Sequence, residues 1–171
     1  VVAAKTYLKE DATKHNFWEA CRKYKVIHIP THGVLYQEDP RFNFICFSQT
    51  MDSLDPKELL YMHELYDREA SLDLDMVVLS ACETARGPNV KSEGNMSIAR
   101  GLAAAGVRSF ITTLWQIKAH NTVDLMPLFY KQLASGEAVP KDVALARAKR
   151  DYLANSPSNQ YPAEWAGIVL I

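Results

Sequence analysis

The sequence holds few cysteines, no long apolar run and almost no net charge. Cysteine occurs three times, as Cys21, Cys46 and Cys82. An odd, low count does not build a disulfide framework, so a reducing, cytoplasmic setting is expected. No C-x-x-C occurs, and no metal site is expected. A formal net charge of −1 gives no electrostatic reason to expect nucleic acid or a membrane surface as partner. No apolar stretch approaches the roughly 20 residues that cross a bilayer. The first residues, Val1-Val2-Ala3-Ala4-Lys5, lack the basic start and long apolar stretch of a secretory leader. They read as the interior of a fold, so a fragment of a longer protein is expected. Neither G-x-G-x-x-G nor G-x-x-x-x-G-K-[ST] is present, which counts against a nucleotide-binding domain. No cofactor is expected.

What is present is ordinary in amount. The 171 residues, 48% apolar and 23% charged, suffice for one domain with a sizeable core, spanning 1–171. Short apolar runs at Val26–Ile29, Asn43–Phe47, Met76–Ser80, Val107–Thr113 and Ile168–Ile171 read as strands. Lys5–Leu8 is a further strand candidate at the start. Helical spacing lies between them. Asp11-Ala12-Thr13 opens a helix to about Lys23, with Phe17, Trp18 and Cys21 on one face. Asp55-Pro56 has the form of an N-cap followed by Pro at the first helical position, and predicts a helix to about Tyr66. Asn95–Ala105 stops at Gly106, a typical C-terminal glycine. Asn121–Ala134 stops at Ser135-Gly136, and Pro140 begins a helix to about Tyr152. Residues 155–159 read as a loop. Strands alternating with helices predict an α/β fold, with a mostly parallel sheet and helices on both faces.

In open parallel sheets, sites gather at the C-terminal ends of the strands. Pro30-Thr31-His32-Gly33 follows the Val26 run, Ala81-Cys82-Glu83-Thr84 the Met76 run, and Leu114-Trp115-Gln116 the Val107 run. A histidine beside a thiol lowers the thiol pKa and offers a general acid for a leaving amine. A helix starting soon after Cys82 would add to thiolate stabilisation. Gly33 has no Cβ and admits close approach of a carbonyl to the backbone. Its N–H and that of Cys82 form a candidate oxyanion hole. Cys21, on a helix face, and Cys46, inside a strand, read as small core residues. His28, within a strand, reads as a satisfied core histidine. His15, His63 and His120 read as surface residues, and Trp115 as core or pocket wall.

The residues around these ends resemble the CHAT domain family, caspase-like peptidase domains often found after tetratricopeptide repeats. The resemblance is carried by 28–33 (HIPTHG), by 77–84 (VLSACET with its leading valine), and by 94–115, with Ser97–Gly101, Ala105-Gly106-Val107 and Thr113-Leu114-Trp115. The tail from Glu164 to Ile171 is similar to the family's closing strand. The histidine stands about 50 residues before the cysteine, as in caspases. The resemblance implies a caspase-like three-layer α/β fold and cysteine endopeptidase activity. His32 takes the catalytic histidine position, Cys82 the nucleophile position, and the backbone of Gly33 and Cys82 the oxyanion role. A protein or peptide substrate and an upstream repeat domain of the same protein are the implied partners. Two departures fall near the substrate pocket. Ala85-Arg86 stand before Gly87, and Ile117–His120 replace an acidic residue. The part of the domain that precedes Val1 in the family is expected to be missing.

Together these imply amide hydrolysis through a thioester. The pocket wall is expected around Glu83, Thr113 and Trp115. Glu83 or Glu93 would favour a basic substrate side chain, and Arg86 or Lys118 an acidic one. The rival reading is a catalytically silent module of the same fold, acting by interaction or regulation. Another is activity confined to the longer protein and switched on by a partner.

Overall fold

In a computed structural model the described residues are 4–34, 39, 42–49, 53–66, 72–79, 82–83, 93–115, 117–155 and 161–171, with only the backbone of 82–83 and 93–97. The main sheet contains β1 (Val26–Ile29), β5 (Met76–Leu79), β7 (Phe110–Thr113) and β8 (Ile168–Leu170), in that spatial order. β1, β5 and β7 run parallel, and β8 is antiparallel on β7. Both faces of the central strands β5 and β7 are covered. Val77 and Leu79 pack with Ile29 and Phe110 against α1 (Lys14–Lys23), α2 (Met62–Leu65) and α3 (Glu93–Ala104). Met76 and Val78 pack with Ile111 and Ile168 against α4 (Ala119–Leu133) and α5 (Lys141–Asn155). This is the expected three-layer α/β fold, and it explains the unbroken apolar runs of β5 and β7, whose alternate residues enter opposite cores. β1, at the sheet edge, buries Ile29 and leaves Val26 and His28 exposed. Each fully buried Leu, Ile or Val is worth about 1.5–3 kcal/mol.

Local chemistry sets several boundaries. The Thr13 hydroxyl accepts from the Asn16 amide at 3.1 Å and starts α1, at the last residue of the expected Asp11-Ala12-Thr13 opening. Gly106 follows α3 at φ 102°, where a Cβ would stand 2.5 Å from the Leu72 carbonyl oxygen. Only glycine fits that turn. At the N-terminal end of the sheet, Lys141 Nζ donates to the Asp75 carbonyl at 2.7 Å and Ser109 Oγ at 2.9 Å, tying α5 to β5 and β7.

Three sequence expectations are corrected. Lys5–Leu8 forms no strand and leads into a 3-10 turn, Lys9–Asp11. Asp55 does cap a turn with Pro56 first, but the turn ends at Glu58 and becomes β4 (Leu59–Tyr61) before the short α2. The cause is tertiary. Leu59, Leu60 and Tyr61 pair antiparallel with Cys46, Ile45 and Phe44 of β3 (Phe44–Cys46), and that pairing overrides a local helical start. β3 accordingly lies outside the main sheet. It belongs to a second sheet ordered β4, β3, β2 (His32–Val34) and β6 (Cys82–Glu83).

Candidate functional site

The second sheet grows out of the C-terminal ends of the first. β2 follows β1 after Pro30-Thr31, and β6 follows β5 after Ser80-Ala81, which lie outside the described residues. Both breaks are two residues long, so the parallel register continues across them. Ile29 pairs with Leu79, then His32 with Cys82 and Gly33 with Glu83, each partner fifty positions on. Neighbouring strands lie about 4.8 Å apart, so the register sets the Cys82 backbone directly beside that of His32. The residues expected at the strand ends thus include two short paired strands, β2 and β6.

The second sheet has an inner and an outer face. Ile45 and Leu60, each 0% exposed, enter the main core. Gly33 pairs with Ile45 and is itself buried. The neighbouring register positions, His32 and Val34, belong to the other face. There Val34 and Tyr61 pack on Phe44, Cys46 and Leu59, and the His32 side chain is exposed. Thr31 Oγ1 donates to the Cys46 carbonyl at 2.6 Å, strapping the kink before His32 to β3. Sequence reading missed this strap; a threonine beside the histidine was its only trace.

The other thiols do not compete for the chemistry. Cys21 and Cys46 are both buried. Burial pushes the Cys21 thiol up to about 12 and raises that of Cys46. Neither supplies thiolate at neutral pH. The first described helix after Cys82 is α3, starting at Glu93; a helix start closer to the thiol would fall on 84–92, which lie outside the described residues.

Among the expected pocket residues, Thr113 ends β7, is 7% exposed and pairs with Ile168. Trp115 is 39% exposed. Its Nε1 donates to the Ala163 carbonyl at 2.7 Å, and its ring lies on Gly167. The Glu83 backbone lies opposite Gly33; its side chain, Gln116, and residues 84–92 fall outside what is described.

A cavity of about 370 Å³ opens beside His32. His28, Pro30, Thr31 and His32 form its strand side. Its helix side comes from α4, with Val123, Met126 and Tyr130. Thr113 and Trp115 are not among its described lining residues. His28 therefore departs from the core position expected of it. It faces this cavity, 5.8 Å from the Tyr130 ring between centroids. Desolvation by the surrounding protein lowers its pKa to about 4. His28 and His32 stand four residues apart, but on strand, kink and strand rather than on one helical face. No group of three or more His, Cys, Asp or Glu fit to hold a metal occurs among the described residues. His15, His63 and His120 are exposed, as expected. The contribution of α4 was not foreseen. Its signal was an apolar residue, Val123, beyond the face that the core needs; it is 68% exposed.

The class defined by this fold is a three-layer α/β domain carrying a second small sheet at its strand ends. The CHAT domain family model matches residues 2–171, and the chain belongs to that family, a caspase-like module. Mouse tetratricopeptide repeat protein 28 is 29% identical over 113 residues, covering 66% of this chain. The matched stretch is 4% of that relative's length. Among the described residues, no helix is long and apolar enough to cross a membrane.

Proposed function

We propose that this domain is a cysteine endopeptidase that works through His32 and Cys82, as the regulated effector of a larger protein. The observation that supports it is the register: His32 and Cys82 are paired positions of adjacent parallel strands, at the C-terminal ends of β1 and β5. In this reading the Cys82 thiolate attacks the scissile carbonyl, and the backbone N–H groups of Gly33 and Cys82 hold the oxyanion. Each such donor is worth about 100- to 1,000-fold in rate. His32 protonates the departing amine, leaving a thioester on Cys82. It then takes a proton from water, which hydrolyses the thioester and frees the thiol. Imidazole and thiol need not be tightly bonded before substrate arrives.

Glu83, Thr113 and Trp115 are the residues we assign to the substrate pocket, with a protein or peptide as substrate. The mouse relative is named for tetratricopeptide repeats, which supports an upstream repeat domain as the partner that governs activity. The test is a cysteine-directed peptidyl probe on the full-length protein. Wild type should be labelled and Cys82→Ala should not. Labelling that persists in Cys82→Ala would refute the assignment of the nucleophile, and an unlabelled wild type would favour the silent interaction module.

A further inference from the structure

Neither Thr113 nor Trp115, two of the residues assigned to the substrate pocket, is among the described lining residues of the cavity beside His32. We propose that this cavity is the subsite for the substrate residue that follows the scissile bond, and that it takes a large, uncharged apolar side chain. The assignment rests on the peptidase reading and adds which end of the cut chain the cavity serves.

The direction follows from the roles of the two groups. In the proposed hydrolysis, Cys82 keeps the acyl half of the substrate. His32 delivers a proton to the leaving nitrogen, so that nitrogen must come within about 3 Å of the imidazole. The residue carrying that nitrogen starts there. Its side chain enters whatever space adjoins His32 on the side away from the thioester. His32 is itself part of the cavity lining.

The chemistry of the walls sets the class of side chain. Pro30, Ala119, Val123, Met126 and Pro127 supply the apolar surface. No Asp, Glu, Lys or Arg is among the described lining residues. His28, with its pKa lowered to about 4 by desolvation, is neutral at pH 7. A charged side chain entering here would lose water and meet no carboxylate, ammonium or guanidinium among the described lining residues. A volume of about 370 Å³ holds any single apolar side chain. Val123 gives a specific reason for an apolar visitor. It is 68% exposed at the cavity wall, and a Leu, Met or Phe seated there would cover it. Pro127, one turn later in α4, has no N–H for the Val123 carbonyl. That carbonyl is therefore short of its usual helical donor at the same wall.

The experiment uses the full-length protein and four peptides that differ only in the residue after the cleaved bond: Leu, Gly, Lys or Asp. Ratios of kcat/KM within one enzyme preparation cancel differences in active fraction. Wild type should prefer Leu to Gly by about 10- to 100-fold, the worth of burying one such side chain. Val123→Asp replaces an exposed residue, so folding should survive. It should remove the Leu preference and raise Lys relative to Leu. Equal cleavage of all four peptides by wild type overturns the subsite while leaving the peptidase reading intact; the groove would then be a packing face for another segment. An unchanged preference in Val123→Asp also overturns it. Failure to cleave any peptide refutes the peptidase reading itself, and the subsite falls with it.

Discussion

Alanine at Gly167 should destabilise the domain by an amount that depends on Trp115. The added Cβ would lie 2.6 Å from Trp115 Cε2, 2.8 Å from Cδ2 and 2.9 Å from Cζ2. Three atoms of one rigid ring cannot all be cleared by a small shift. The backbone cannot yield easily either, because the Gly167 carbonyl accepts from the Leu114 amide at 2.8 Å. The indole must swing out, giving up its bond to the Ala163 carbonyl and the contact that leaves it only 39% exposed. Overpacking of this kind costs about 1–3 kcal/mol. For a domain of this size each kcal/mol lowers Tm by about 2–4 °C. Thermal unfolding followed by circular dichroism should therefore show Gly167→Ala melting between about 2 and 12 °C below wild type. In a Trp115→Ala background the same substitution should be nearly neutral, giving a coupling energy of about 1–3 kcal/mol. An equal penalty in both backgrounds would refute the clash as the cause. A neutral Gly167→Ala in wild type would refute the packing of Trp115 itself.

Thr31→Val removes the strap to the Cys46 carbonyl and should cost about 1–3 kcal/mol. It should also lower the rate of probe labelling, because the kink before His32 loses its tether; a rate equal to that of wild type would show that the strap does not position the site. Cys21 should resist iodoacetamide at pH 8 in the native protein and react after unfolding, as mass spectrometry of the labelled peptide would show. Its folded pKa, raised to about 12, lies above its unfolded value. Its contribution to stability is thus whole below about pH 9 and is lost as pH climbs from there toward about 12. A Cys21→Ala variant with the same loss of stability over that range would show that other groups cause it.

The main sheet could be read from the sequence because its strands are short continuous apolar runs, buried on both faces in β5 and β7. Val26–Ile29 matches the expected run at both ends, and Met76–Leu79 ends one residue before Ser80. The helices that pack on it were read from spacing and end signals such as Gly106. What could not be read was pairing between segments with weak local character. Leu59-Leu60-Tyr61 follows a proper helix cap and would continue a helix by itself; it becomes a strand because Phe44–Cys46 lies alongside. The same holds at the site. His32 and Cys82 could be placed at strand ends, but not in a second sheet, since two-residue strands such as Cys82–Glu83 leave no periodic trace. The fifty-residue interval between histidine and cysteine now has a physical basis. It is the register of β1 on β5, carried through two breaks of equal length into β2 and β6.

Peptide-library cleavage by the full-length protein, with Cys82→Ala and His32→Ala measured beside wild type, tests the central claim most directly. Cleavage by wild type that is lost in both variants, with their thermal unfolding unchanged, is the result this account predicts. Cleavage that survives either substitution at the wild-type rate would contradict it.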